Sequence, residues 1–121
     1  MKISKYFYRD EFECKGTSAL IIEPCFLDEA DNLREEYGRP LMVTSGCRSQ
    51  EHNEDIDGHP NSLHMIENRK YGTDTCAMDV VRPDTIMLAE LIKIDLSKGW
   101  SVGVASTFVH LDMRTKFAGI P

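Results

Sequence analysis

Apolar residues in the stretch EPCFLDEADNLREEYGRP fall at Phe26, Leu27, Ala30, Leu33 and Tyr37. Steps of three and four residues lay them along one side of a helix, which Gly38 and Pro40 close. The next apolar stretch, PLMVTSG, is short, β-branched and ends in a Ser-Gly turn, so it predicts a buried strand that delivers Cys47 and Arg48 to a loop. Ser49 is placed to cap a short polar helix over QEHNEDID, with Gly58 as its terminator. GHPNS has the composition of a turn, and it presents Ser62 and His64. CAMDVV reads as a second strand, after which Pro83 and Asp84 open an amphipathic helix carrying Ile86, Met87, Leu91, Ile92 and Ile94. WSVGVAS and TFVHLDMR complete the pattern as two strands, adjacent and antiparallel. The order α, β, α, β, α, β, β predicts an α+β fold, a small and mainly antiparallel sheet flanked by helices.

Composition narrows this picture. A chain of 121 residues that is 41% hydrophobic suits one domain spanning 1–121, since two would each lack a sufficient core. The net charge of −6 argues against a nucleic-acid partner, whose affinity comes largely from clustered Lys and Arg. The N-terminal MKISKYFYRDEFECKG has no apolar run of signal-peptide length and nothing later approaches a membrane span, so cytoplasmic synthesis without membrane insertion is expected. Cys14, Cys25, Cys47 and Cys76 show no C-x-x-C spacing, which predicts reduced, partly buried thiols, with disulfides left open for a protein that works outside a cell. Trp100 and the methionines fit core packing.

Candidate chemistry sits on the strands. Alternation in FVHLDMR puts Phe108, His110 and Asp112 on one face and Val109, Leu111 and Met113 on the other. In CAMDVV, Asp79 shares a face with Ala77 and Val81, where a buried carboxylate needs a cation, an arginine or hydrogen-bond donors to answer it. A His, Asp, His set from separate elements suits a catalytic zinc site with one open position. The fifteen residues from His64 to Asp79 and the thirty-one from there to His110 form no helix-local pair. Spacing alone leaves metal ligands and satisfied structural residues as alternatives.

The ordered set S-G-x-R-S (Ser45 to Ser49), S-x-H (Ser62 to His64), A-x-D (Ala77 to Asp79) and H-x-D (His110 to Asp112) resembles the zinc D-alanyl-D-alanine carboxypeptidase superfamily, which includes the hedgehog signalling domain and many phage endolysins. The resemblance runs from about residue 7 to 114 and is closest to the small single-domain peptidases of that group. It implies a hedgehog/DD-peptidase type of fold and one Zn2+ held by His64, Asp79 and His110. It also implies that Arg48 approaches the substrate and that Ser62 holds the peptide or orients the ligand loop. The implied activity is zinc-dependent hydrolysis of peptidoglycan peptides, as a D,D-carboxypeptidase or an endolysin-like endopeptidase, by a monomeric chain of host or phage origin. A non-catalytic zinc-containing binding module is the alternative.

Two departures from the superfamily pattern stand out. Its members commonly place the aspartate seven residues after the first histidine, in S-x-H-x-x-G-x-A-x-D, whereas here eight more residues intervene and Thr75 replaces the Gly. The segment MIENRKYGTD reads as a surface loop beside the cleft, and it makes Asp74 an alternative ligand to Asp79. Where several relatives carry an acidic base three residues before the last ligand, this chain has Thr107, and the next position is Phe108. Asp112 is therefore the expected catalytic base, or else the residue that steadies a ligand from behind, with Glu67 and Asp74 as weaker candidates. His52 and His59 read as solvated, His59 being near enough to line the cleft. Cys47 and Cys76 are expected to pack behind the site, with Cys76 a minor candidate for a fourth, soft ligand.

Overall fold

In a computed structural model that describes residues 1–121, the strands β1 (Val43–Ser45), β2 (Ala77–Val81), β3 (Ser101–Val104) and β4 (Phe108–Asp112) form one antiparallel sheet in the order β1-β2-β4-β3. The expected α+β architecture is present. Two long helices, α2 (Phe26–Tyr37) and α4 (Thr85–Ser97), supply most of its cover, with shorter helices α1 (Arg9–Phe12), α3 (Gln50–Asp55) and α5 (Arg114–Ala118). No helix is long and apolar enough to cross a membrane.

Strand alternation divides the sheet chemically. Met78 and Val80 of β2 and Val109 and Leu111 of β4 join the core with Phe26, Ala30, Leu33 and Tyr37 of α2 and Leu88, Leu91 and Ile94 of α4. Burying each Val, Leu, Ile, Met or Phe side chain among them contributes roughly 1.5–3 kcal/mol. Edge-to-face aromatic contacts link Phe7 to Phe12, Phe12 to Phe26, and Phe26 to both Trp100 and Phe117. The opposite face carries the polar residues. Register pairs Ser45 with Asp79 and Asp79 with His110, so these residues form a row across neighbouring strands.

Local chemistry sets the element ends. Asp84 caps α4 by accepting a hydrogen bond from the Met87 N–H at 3.0 Å, and Gly38 ends α2 with φ 73° and its N–H on the Arg34 carbonyl. Ser49 caps α3 as expected, accepting from the His52 N–H. Gly58 is not its terminator: the helix stops at Ile56, Asp57 takes the left-handed turn (φ 55°), and Gly58 is small because Asn53 packs where a Cβ would stand. The last strand does not run through Arg114, since the Asp112 carboxylate accepts the Arg114 N–H at 3.1 Å and turns the chain into α5. Ile86, expected on the buried face of α4, is largely exposed, whereas Leu88 and Asp95 face inward.

Asp95 is the oddity of the core. It is 0% exposed, neither carboxylate oxygen has a hydrogen-bond partner, and the neighbouring Trp100 indole N–H is also unpartnered. Burial pushes its carboxyl up to about 7. A carboxyl raised in the folded state favours the protonated form, so this stabilisation is complete below the unfolded value of about 3.9 and is lost as pH rises toward 7. At about 1.4 kcal/mol per unit the loss is of order 4 kcal/mol. Asp95→Asn, which matches the shape of the neutral acid, should melt at higher temperature than the parent chain at pH 8. That gap should close near pH 4 in thermal unfolding, and an equal gap at both pH values would exclude this account.

Candidate metal centre

The backbone brings three donors together from two strands and a loop. Asp79 and His110 are direct cross-strand partners on β2 and β4. His64 arrives on the loop after α3, which is clamped along its length: the Arg48 N–H donates to the His64 carbonyl at 2.9 Å, the Ile66 N–H to the Arg48 carbonyl at 2.8 Å, and the Thr75 hydroxyl also to the His64 carbonyl at 2.8 Å. Ser62 accepts the His64 N–H at 3.2 Å, so the serine of S-x-H shapes the ligand loop. Gly46, in the S-G-x-R-S run, is needed because a Cβ there would lie within 2.9 Å of the Phe12 backbone. That close approach fixes the Gly46 carbonyl, which accepts from His64 Nδ1 at 2.8 Å.

These contacts set the tautomers. A carbonyl can only accept, so Nδ1 of His64 carries the proton and its Nε2 is bare in the neutral ring. The Asp112 carboxylate accepts from Nε2 of His110 at 2.8 Å, which leaves Nδ1 of that neutral ring bare. Both bare nitrogens lie 3.0 Å from Asp79 Oδ1 and 3.2 Å from each other. Three electron-pair donors converging with no acceptor between them repel one another unless a cation joins them. Metal–ligand bonds of about 2.0–2.1 Å around a tetrahedral zinc put neighbouring ligand atoms about 3.3 Å apart, close to the triangle seen here. His64, Asp79 and His110 thus form a group positioned to bind one metal ion.

A model of the peptidase M15 family matches residues 5–112. The chain belongs to the peptidase M15 family. It is thereby placed in the superfamily of zinc D-Ala-D-Ala carboxypeptidases and hedgehog-type peptidases, and zinc is the cofactor that its metal-binding triangle fits. No curated protein and no solved structure matches this M15 chain.

The polar surroundings of the M15 triangle are specific. Burial lowers the His64 pKa and favours the neutral ring that a metal needs. Burial would raise Asp79, but in the metal-free chain the His110 imidazolium donates to its Oδ1 and, with the adjoining His64 ring, holds it well below the usual carboxylate range. Burial would lower His110, but Asp112 and Asp79 outweigh it and push the metal-free imidazolium up to about 9. A proton therefore competes with the metal. Arg48 donates from Nη2 to Asp79 Oδ2 at 3.3 Å, from Nε to Ser45 Oγ and from Nη1 to Asn53 Oδ1, so it braces the carboxylate from the side opposite the histidines.

Asp112 does not fit the expected role of proton acceptor. It is fully buried, Oδ1 accepts from the Arg114 N–H and Nε, and Oδ2 accepts from Arg114 Nη2 at 2.7 Å and from His110. Its carboxyl would be raised by burial, yet His110 and Arg114 bring it down to about 2. It also lies on the Nε2 side of the His110 ring, away from the metal-facing nitrogen.

The other candidates separate cleanly. Asp74 accepts the Glu67 N–H at 3.1 Å within the inserted segment and is outside the metal group, as is the exposed Glu67. Cys76 points to the core face and burial pushes its thiol up to about 12, so it is no soft ligand; Cys47 donates to the Ile21 carbonyl. All four cysteines are unpaired. Thr107 is exposed, and its carbonyl accepts the Arg82 N–H. His52 lies against Gly16, whereas His59 shares with His110, Ser62, Tyr71 and Arg114 the wall of a cavity of about 320 Å³. Asn53, Tyr71 and Arg114 escaped the sequence reading, and Ser45 entered it only as part of the S-G-x-R-S run. Arg114 reaches Asp112 through the turn into α5, a contact that strand alternation does not give.

Metal content after dialysis should be one zinc per chain, lost in Asp79→Ala and kept in Asp74→Ala. Competition with a chromophoric chelator should show affinity weakening about tenfold per pH unit below the His110 value, as protons displace the metal.

Proposed function

We propose that this M15 protein is a zinc peptidase that hydrolyses peptidoglycan stem or cross-link peptides, as a D,D-carboxypeptidase or an endolysin-like endopeptidase. The observation that carries this reading is a triangle of bare donor atoms beside a cavity of peptide-side-chain size that holds Ser62 and His110 on its wall. His64, Asp79 and His110 are the zinc ligands in this reading. Zinc held there supplies Lewis-acid polarisation of a scissile carbonyl and lowers the pKa of water to about 7.

The chain's own residues do the positioning. Arg114 holds Asp112, Asp112 fixes the His110 tautomer, and the Gly46 carbonyl fixes that of His64. Arg48 uses three of its five N–H groups on Ser45, Asn53 and Asp79, which leaves two for a substrate carbonyl or carboxylate. Asp112 is a positioning residue in this scheme. The saturation of Asp112 and the absence of an acid at Thr107 favour a second reading, a zinc-containing module that binds such peptides without cutting them.

Incubation of the zinc-loaded protein with purified peptidoglycan and defined muropeptides should release D-alanine or cross-link fragments, and a chelator should stop it. Bound zinc with no release from several wall chemotypes would select the binding module. Asp112→Asn should weaken zinc affinity about 10–100-fold. Arg48→Ala should lower kcat/KM about 10–100-fold with zinc retained, the cost of losing charge-assisted hydrogen bonds.

A further inference from the structure

We propose that the cavity beside His110 is an anion subsite, which takes a carboxylate group of a peptide ligand on donors from Arg114, His59 and Tyr71. The cavity measures about 320 Å³ and adjoins the metal triangle through His110. Its wall is rich in donors. Arg114 spends Nε and Nη2 on Asp112, while its Nη1 has no hydrogen-bond partner. His59 accepts the Asn61 N–H on Nδ1 at 3.0 Å, so the proton of the neutral ring sits on Nε2, and that nitrogen is a donor without a partner. The Tyr71 hydroxyl is likewise unpaired, and the Lys70 ammonium lies 5.6 Å from the Tyr71 ring centroid. The one acid on the wall, Asp112, has its oxygens filled by four hydrogen bonds. In a chain of net charge −6, a pocket with free donors and no free carboxylate selects an anion.

The inserted segment builds this wall. The surface loop expected beside the cleft is pinned by Asn68, which is 2% exposed. Asn68 Nδ2 donates to the carbonyls of Asn61 and Ser62 at 3.0 and 3.1 Å, and its Oδ1 accepts the Tyr71 N–H at 3.1 Å. Its backbone pairs with Thr73, and Gly72 turns the chain with φ 66°. The same side chain thus ties Tyr71 to the turn that supplies Ser62 and His64. Through Tyr71 the segment forms one side of the subsite.

The choice of a peptide as ligand rests on the reading proposed above, so the test measures binding apart from cleavage. Zinc-loaded full-length protein would be titrated, with backbone NMR as readout, with two matched peptide pairs. One pair differs in a C-terminal carboxylate against a carboxamide, the other in a glutamate side chain against glutamine. In one pair the carboxylate member should bind about tenfold or more tightly, with shifts at Tyr71 and Arg114, and the pair that discriminates identifies the source of the anion. His59→Phe and Tyr71→Phe, which leave the Asp112 contacts intact, should each cut that preference at least about threefold with zinc content unchanged. Arg114→Gln should abolish it. Equal affinity within both pairs, or shifts confined to the Arg48 side, overturns the subsite even if peptides are cleaved. Carboxylate preference without any cleavage supports the subsite and counts against the hydrolase reading alone.

Discussion

The structure turns on one buried carboxylate. Asp79 sits on a central strand, 6% exposed, where an unanswered charge would cost several kcal/mol. Oδ1 is shared by His64 and His110, and Oδ2 is met by Arg48. Each of those partners is itself held: His64 by the Gly46 carbonyl, His110 by Asp112, and Arg48 by Ser45 and Asn53. The small size of Gly46 and of Gly58 follows from this shell, because Phe12 and Asn53 occupy the space their side chains would take. Residues scattered from position 12 to 114 therefore answer to a single electrostatic demand.

Period and capping carried much of the fold in the sequence. The helix from Phe26 and the one after Asp84 follow from apolar spacing and a cap, and alternation put Asp79, His110 and Asp112 on the face opposite the core. What escaped depended on single tertiary contacts. Helix α1 is one short turn, three polar residues and Phe12, too short to show a period, and α5 starts where Asp112 captures the Arg114 N–H. Sheet order was not legible either, since β4 pairs with both β3 and β2 while only the first of these is near in sequence.

The insert was legible as an anomaly of spacing but not as architecture. Polar, turn-rich composition predicts a solvated loop, and composition cannot reveal that one asparagine uses both amide hydrogens and its oxygen to fasten the segment to the ligand turn. Eight added residues raise closure entropy little, and Asn68 recovers order with local hydrogen bonds. The same asparagine thereby fastens the segment to the turn that carries His64.

Orientation precedes the metal in this design. The tautomers of both histidines and the conformation of Asp79 are fixed by groups that do not touch the metal position, so binding has little side-chain freedom left to remove. The remaining opposition is the proton on His110, which the flanking carboxylates of Asp112 and Asp79 hold when no metal is bound. That proton lies between His110 and Asp79 and joins the donors of the triangle when no metal is bound. A metal held by His64, Asp79 and His110 would replace that proton, and Asp112, which helps to hold the proton, is also the residue that orients the His110 ring. Arg114 moderates that tension, because it neutralises Asp112 while leaving its hydrogen bond to His110 in place.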